Sequence, residues 1–350
     1  MRVKEGVKTS LLFLFIYVTG ISTAMSNTDT KFEWRATESA PKHYPMKIIR
    51  GTFIYKGEAE QGLYVPNGGT ISTIWGDGIS NHLVGEKLKP LPDRLKIIFF
   101  SYAEKQFYKG EFDLPYEKIL ALFRDGVENP TVFPNGKTLP VYDKIMVGVA
   151  PGGAVAVWVK GKKGVEVFFG QAQKVDINPS VGFALPFKDK ADADAYMAKQ
   201  LVNSLTPAEL ESLKKDGVPF GLWARYRNKY HWLPIFTAGH SPKDINVGYL
   251  NGESFGTWYL ADKYLEDKKE LNTPRPVPRK IVFMTSINGQ KYLFEVAFEE
   301  FETMTAFEKL GANGKQVFLE FDPRLPVTDI RIRLRNDKES IELKRFVSEK

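Results

Sequence analysis

The chain has no cysteine in its 350 residues. Disulfides, thiolate metal sites, a cysteine nucleophile and a lipid-acceptor cysteine are therefore excluded. Histidine is scarce. His43, His82, His231 and His240 are the only four, and none has a partner four residues on, so no helical His pair can hold a metal. "DKADADAY", with Asp189, Asp192 and Asp194, lacks the glycine and closing glutamate of a calcium loop and reads as a solvated helix start. No metal and no cofactor is expected. Long apolar runs are lacking too. Only "LLFLFIYV" (Leu11 to Val18) stands out, and it is too short to span a bilayer comfortably.

That run follows Arg2, Lys4 and Lys8 and precedes the small residues Ser22, Thr23 and Ala24. This is the layout of a secretory signal peptide over residues 1–24. Export is expected, with an uncleaved N-terminal segment tethering the chain to the membrane as the alternative. Export without cysteine fits a bacterial periplasm. The formal charge is +7, and losing three basic residues and Glu5 with the leader leaves +5. So mild a sign permits an acidic partner or a membrane surface and requires neither. Nucleic acid is not expected as a partner.

What is present is mostly strand. "PMKIIRGTFIY", "RLKIIFFSYAE", "KIMVGVA", "AVAVWVKG" and "VEVFFGQ" alternate with period two and are rich in β-branched residues. Helical signals are few. "PYEKILALFRDG" begins at Pro115 and is expected to stop at Gly126. Asp189 to Leu205 is rich in helix formers. A further helix has Thr206 as N-cap, Pro207 in its first turn, Glu209 completing a capping box and Gly217 as its stop.

The two ends of the chain resemble each other weakly. Trp34, Tyr44, "YVPNGGT" and "PDRLKIIFFSYAEKQFYKGEFDLPYEKILALFRDG" are followed in the second half by Trp223, Trp232, "YLNGES" and "PRKIVFMTSINGQKYLFEVAFEEFETMTAFEKLG". In this alignment Trp34 answers to Trp223, and Asn67-Gly68 to Asn251-Gly252. The expected fold is α+β and mainly antiparallel. Two tandem β-rich modules, residues 32–180 and 217–350, are joined by a helical segment, residues 181–216.

"VAPGGAVAVWVKG" (Val149 to Gly161) raises the question of a phosphate loop. A P-loop spaces its glycines, adds Lys-Ser or Lys-Thr and opens a helix. Here Val155, Val157 and Val159 alternate with Ala154, Ala156 and Trp158 behind Pro151-Gly152-Gly153, the pattern of a hairpin. Near the C-terminus Ile330, Ile332 and Leu334 alternate with Arg331, Arg333 and Arg335, so one face packs and the other carries arginines.

Few groups of residues suggest chemistry. "GESFG" (Gly252 to Gly256) matches a nucleophile elbow with Ser254 as nucleophile. "INVGYL" before it reads as a strand, and "TWYLADKYLEDKKE" after it as a helix. All four histidines precede Ser254, against the order of an α/β-hydrolase, and helices are too few for a parallel sheet. The competing reading is a simple turn. Glu104 is a lone carboxylate among aromatics, unable to run two-group acid–base chemistry and expected to pair with an arginine or lysine. "LWARYRNKYHWLP" interleaves Trp223, Tyr226, Tyr230 and Trp232 with Arg225, Arg227 and Lys229. Either these residues form a protein-binding surface, or the stretch is a long strand whose aromatics fill the core. The second reading is preferred. The candidate binding residues are Trp223, Arg225, Tyr226, Arg227, Tyr230 and Trp232, with Arg331, Arg333 and Arg335.

"FEWRATESAPKHYPMKI", "LPDRLKIIFFSYAEKQFYKGEFDLP", "VGVAPGGAVAVWVKG", "RYRNKYHW" and "YLNGESF" resemble the bacterial exported and lipoprotein-like family known as domain of unknown function 2931. The resemblance runs from about Phe32 to the C-terminus. It implies no catalytic residues. It does imply a periplasmic immunity role, because members are associated with type VI secretion effectors, including phospholipase-like toxins. The function expected is thus that of an exported, non-enzymatic binding protein whose partner is a secreted toxin. The alternatives are a serine esterase at Ser254 and an envelope structural or ligand-binding module without a toxin partner.

Overall fold

The computed structural model describes residues 30–132, 136–237, 240, 242, 244–256 and 273–348. The expected signal peptide and the helix expected after "GESFG" lie outside the described residues.

The first half runs β1 (Lys31–Glu33), β2 (Arg35–Ser39), β3 (Met46–Tyr55), β4 (Gly62–Tyr64), β5 (Leu88–Pro90), β6 (Pro92–Ser101) and β7 (Gln106–Asp113). Helix α1 (Tyr116–Glu128) and a small hairpin, β8 (Thr131–Val132) and β9 (Thr138–Leu139), come next. Then follow β10 (Tyr142–Ala150), β11 (Ala154–Gly161), β12 (Gly164–Gln171) and β13 (Gln173–Val175). The connector carries α2 (Pro179–Phe183), α3 (Lys190–Ser204), α4 (Pro207–Asp216) and the single turn α5 (Leu222–Arg225). The second half runs β14 (Lys229–Tyr230), β15 (Trp232–Phe236), β16 (Asp244–Tyr249), β17 (Ser254–Gly256), β18 (Arg275–Pro276), β19 (Pro278–Ile287) and β20 (Gln290–Phe298). It closes with α6 (Glu300–Leu310), β21 (Val317–Asp322), β22 (Arg331–Arg335), β23 (Ser340–Glu342) and β24 (Arg345–Ser348).

The fold is α+β with mainly antiparallel sheets, and the two halves repeat one topology. In the first half a five-stranded sheet, β4-β3-β6-β7-β13, faces the four strands β2-β10-β11-β12. In the second, β17-β16-β19-β20-β24 faces β15-β21-β22-β23. Each half has one parallel pair, β2 with β10 and β15 with β21. A Pro-x-Pro step marks the equivalence. Trp34 Nε1 donates to the Pro90 carbonyl and Trp232 Nε1 to the Pro276 carbonyl, both at 3.1 Å. The Lys56 amide donates to Leu91 and the Leu250 amide to Val277, both at 3.0 Å.

These pairs correct the expected alignment. Trp34 answers to Trp232, not Trp223. The turn at Asn251-Gly252 replaces the one after Tyr55, not Asn67-Gly68: the Tyr55 amide donates to the Gln61 carbonyl and the Tyr249 amide to that of Glu253. The first turn is two residues longer, which shifts the sequence match.

One bridge, Gly164 opposite Ser254, joins β12 to β17 and makes the two halves share a nine-stranded sheet. The β10–β11 hairpin is consequently buried on both faces. Ile145, Val147, Val155 and Val157 pack into the core of the first half. Met146, Ala154, Ala156 and Trp158 pack into that of the second. Its Pro-Gly-Gly turn has Gly152 and Gly153 at φ +75° and +86°, a region open to glycine. Glu104 pairs with neither arginine nor lysine as its main partner. It accepts from the Tyr108 hydroxyl (2.6 Å) and the Gly152 amide (2.9 Å), because the turn leaves that amide without a ladder partner.

One helix limit and one expected strand also differ. Helix α1 continues through Gly126 to Glu128; a Cβ on Gly126 would lie 2.8 Å from the Tyr142 ring, so this glycine serves close packing rather than termination. The aromatic–basic stretch is not one long strand but α5, β14 and β15. Pro234 nonetheless sits within β15, tolerated because β15 is an edge strand. The connector follows its capping signals. Thr206 and Glu209 form both halves of the capping box, and Gly217 closes α4. Helix α3 covers Phe100, Tyr102 and Phe107 through Ala193 and Met197. Thr206→Ala is expected to cost about 1 kcal/mol of stability, read as a lower urea midpoint at unchanged m-value.

Candidate functional site

Of the aromatic–basic residues, Trp223 and Arg227 reach the first half, and the others find their bonded or stacked partners in the second. Trp223 is buried, 5.7 Å from Tyr44 and 6.4 Å from Trp75 between ring centroids. Trp232 is buried against Phe307, and the half-buried Tyr230 packs on the same ring. The buried Tyr226 hydroxyl donates to Glu300. Burial raises the pKa of both groups, and the Glu300 charge raises that of the phenol further, so the phenol stays the donor. Arg225 grips Glu308 through two bonds of 2.7 and 2.6 Å. Arg227 binds Glu166 on β12 at 2.6 Å and lies 4.8 Å over the Phe169 ring. These six side chains thus have partners inside the chain, and their aromatic members are core.

Arg331, Arg333 and Arg335 sit apart from them, on the outer face of β22. Glu320 lies between Arg333 and Arg335 and binds both, with Arg335 Nε at 2.8 Å, and these bonds lower its pKa against the opposing effect of burial. The repeat explains this face. Arg35 and Leu233, each one residue past the equivalent tryptophan, stand opposite Lys144 and Phe318. Two residues on, Met146 answers to Glu320, and their cross-strand partners Trp158 and Arg333 answer to each other. The face that the second half covers in the first is charged in the second, as at the capped end of a solenoid.

Ser254 does not crown an elbow. It opens β17, the second strand of a tight hairpin with β16, and pairs with Gly248 and Gly164 on antiparallel strands. Its neighbour is a lysine, not a histidine. Lys160 Nζ and Ser254 Oγ lie 2.8 and 2.9 Å from the place a Cβ on Gly164 would take. Both line a cavity of about 330 Å³ at the junction, with Thr37, Asp77, Asn81 and Lys144. Its back wall is a backbone crossing. A Cβ on Gly76 would fall 2.2 Å from the Gly252 Cα, so only glycine allows the approach. Beside it Trp75 is buried, 5.1 Å from Trp158. Lys160 donates to the Gly252 carbonyl, and burial pulls its pKa down to about 8 although Asp77 and Glu253 oppose the shift.

Sequence reasoning missed Lys160 and Asp77. One signal was there to be read: Lys160 follows Trp158 on the face that is otherwise alanine and tryptophan. Elsewhere, a larger cavity of about 810 Å³ lies between β13 and the start of α3, walled by Phe100, Phe107, Ile177 and Met197 and rimmed by Lys174 and Lys188. Among the described residues, no three His, Asp or Glu side chains converge as metal ligands.

Two copies of one nine-stranded unit, sharing a sheet and closed by a charged outer face, define a tandem antiparallel α+β protein. A family model described as protein of unknown function (DUF2931) matches residues 22–221, and the chain belongs to that family. The match ends at the connector, so "RYRNKYHW" and "YLNGESF" fall beyond it. Comparison with curated proteins and with solved structures found no match.

Proposed function

We propose that this chain is an exported, non-enzymatic binding protein of the bacterial envelope, acting as an immunity protein that covers the active site of a secreted, phospholipase-like effector. The observation that carries the reading is the strand edge of β4. Its equivalent in the second half, β17, is paired on its outer side with β12, whereas β4 ends its sheet. Tyr64, Ile79, Leu83 and Leu88 are exposed on β4 and the segment that follows it, Leu83 at 78%. An open strand edge near exposed apolar side chains is a docking feature that monomeric proteins usually avoid. The arginine-bearing face of β22 supplies charge for steering a partner.

The test is co-purification with the products of neighbouring genes. A stable one-to-one complex is expected, weakened at least about tenfold by Leu83→Asp at a well-packed contact. No complex with any of them, in a strain that survives sibling attack without this gene, would favour an envelope module without a toxin partner. Export by residues 1–24 predicts a mature periplasmic chain starting near Met25; an intact N-terminus would support the tether.

A serine-esterase reading has one observation in its favour, the Lys160 side chain close to Ser254 with its pKa lowered by burial, since a neutral lysine amine serves as base in some serine hydrolases. Covalent labelling of Ser254 by a fluorophosphonate would support it; absence of labelling in folded protein would remove it.

A further inference from the structure

We propose that the junction cavity is a binding site for a small oxyanion, a phosphate or carboxylate group held between Lys160, Lys144, Thr37 and Ser254. The site is independent of the β4 edge and of any toxin partner.

The reasoning starts from charge. Lys160 lines the cavity with one of its three donors on the Gly252 carbonyl. The carboxylates nearest to it, Asp77 and Glu253, act on it through space but make no ion pair with it, and each has another partner. Asp77 holds Arg279 through two bonds of 3.1 and 3.2 Å. Glu253 accepts from the Glu166 amide at 3.1 Å. Lys144 lines the same cavity, and neither lysine has an ion pair among the described residues. An ammonium in such surroundings is costly without a counter-charge.

A second observation points the same way. Thr37 is 1% exposed, lines the cavity, and its hydroxyl has no hydrogen-bond partner. Buried hydroxyls are rarely left unsatisfied. Two ammonium groups, the Thr37 and Ser254 hydroxyls and the Asn81 amide outnumber the one carboxylate in the lining, Asp77, whose charge is shared with Arg279. An oxyanion accepts from all of these donor types, and charge-assisted bonds are the strongest of them. The nearby Ser80 hydroxyl is already spent on Glu38, so it is not counted as a donor. The cavity volume suits a phosphate or a carboxylate head with room for a substituent.

Calorimetry on the mature chain at pH 7 tests this, with sodium phosphate and sodium acetate titrated separately at ionic strength held constant by chloride. Saturable one-site binding of at least one anion is expected. Binding of phosphate alone assigns a phosphoryl ligand, and binding of acetate assigns a carboxylate. Lys160→Met should weaken the site about tenfold or more, the order lost with one charged hydrogen bond, and Thr37→Val by about threefold. If Lys160→Met fails to fold by circular dichroism, Lys144→Met and Thr37→Val carry the test. No saturable heat with either anion overturns the proposal. So does wild-type affinity in every folded variant.

Discussion

Trp158→Ala is expected to remove about 3–5 kcal/mol of stability, the usual cost of a large buried aromatic. The indole is fully buried and donates to the Asn251 carbonyl across the junction at 3.0 Å. Gly148 and Gly252 pack against its ring so closely that a Cβ on either would stand 2.6 and 2.9 Å from it. Neither backbone can move in to fill the space, because both belong to paired strands or a tight turn. The cavity therefore persists, which places the cost in the upper part of that range. Since Trp158 and Trp75 are the two largest side chains that the first half gives to the second core, losing Trp158 should also loosen the coupling of the halves. Urea unfolding followed by tryptophan fluorescence and by circular dichroism should give two transitions that no longer coincide. A loss under about 1 kcal/mol with coincident transitions would show that the shared sheet, not this side chain, holds the halves together.

The second large effect concerns the charged end. Glu320→Met with Arg333→Trp puts on the outer face of β21–β22 the pair that Met146 and Trp158 form in the first half. Both positions face outward, so folding should survive. The face would then resemble the surface that β17 and its hairpin cover, and chains should stack end to end. Light scattering after gel filtration should show a larger assembly than wild type at equal concentration. A heterologous contact of this kind need not close, so open chains are expected rather than a dimer. An unchanged mass would mean that the charged face is not what keeps chains from stacking through it.

Much of the fold was legible because its signals are local. Period-two alternation located β3, β6, β10, β11 and β22. Pro151-Gly152-Gly153 announced a hairpin, and Thr206 with Glu209 announced a helix start. The repeat was legible in order but not in phase. Trp223 and Trp232 lie close together, and only the bond from each true equivalent to a proline carbonyl distinguishes them. Gly126 misled as a helix stop because a glycine needed for close packing looks the same as one needed for a turn. The aromatic–basic stretch was read with the right burial for its aromatics but the wrong backbone, since α5 is a single turn and carries too few residues to show a period.

The amino-acid order alone determined the class of fold, the hairpin at Pro151-Gly152-Gly153 and the inward face of the alternating strands, because each depends on side chains within a few residues of one another. Tertiary structure decided which outward faces are covered and by what. It buried the alanine–tryptophan face of β11 while leaving the arginine face of β22 in water. It also brought Lys160, Ser254 and Thr37 to one cavity from three separate strands. Contacts of that range depend on how sheets stack, and stacking leaves no period in the sequence.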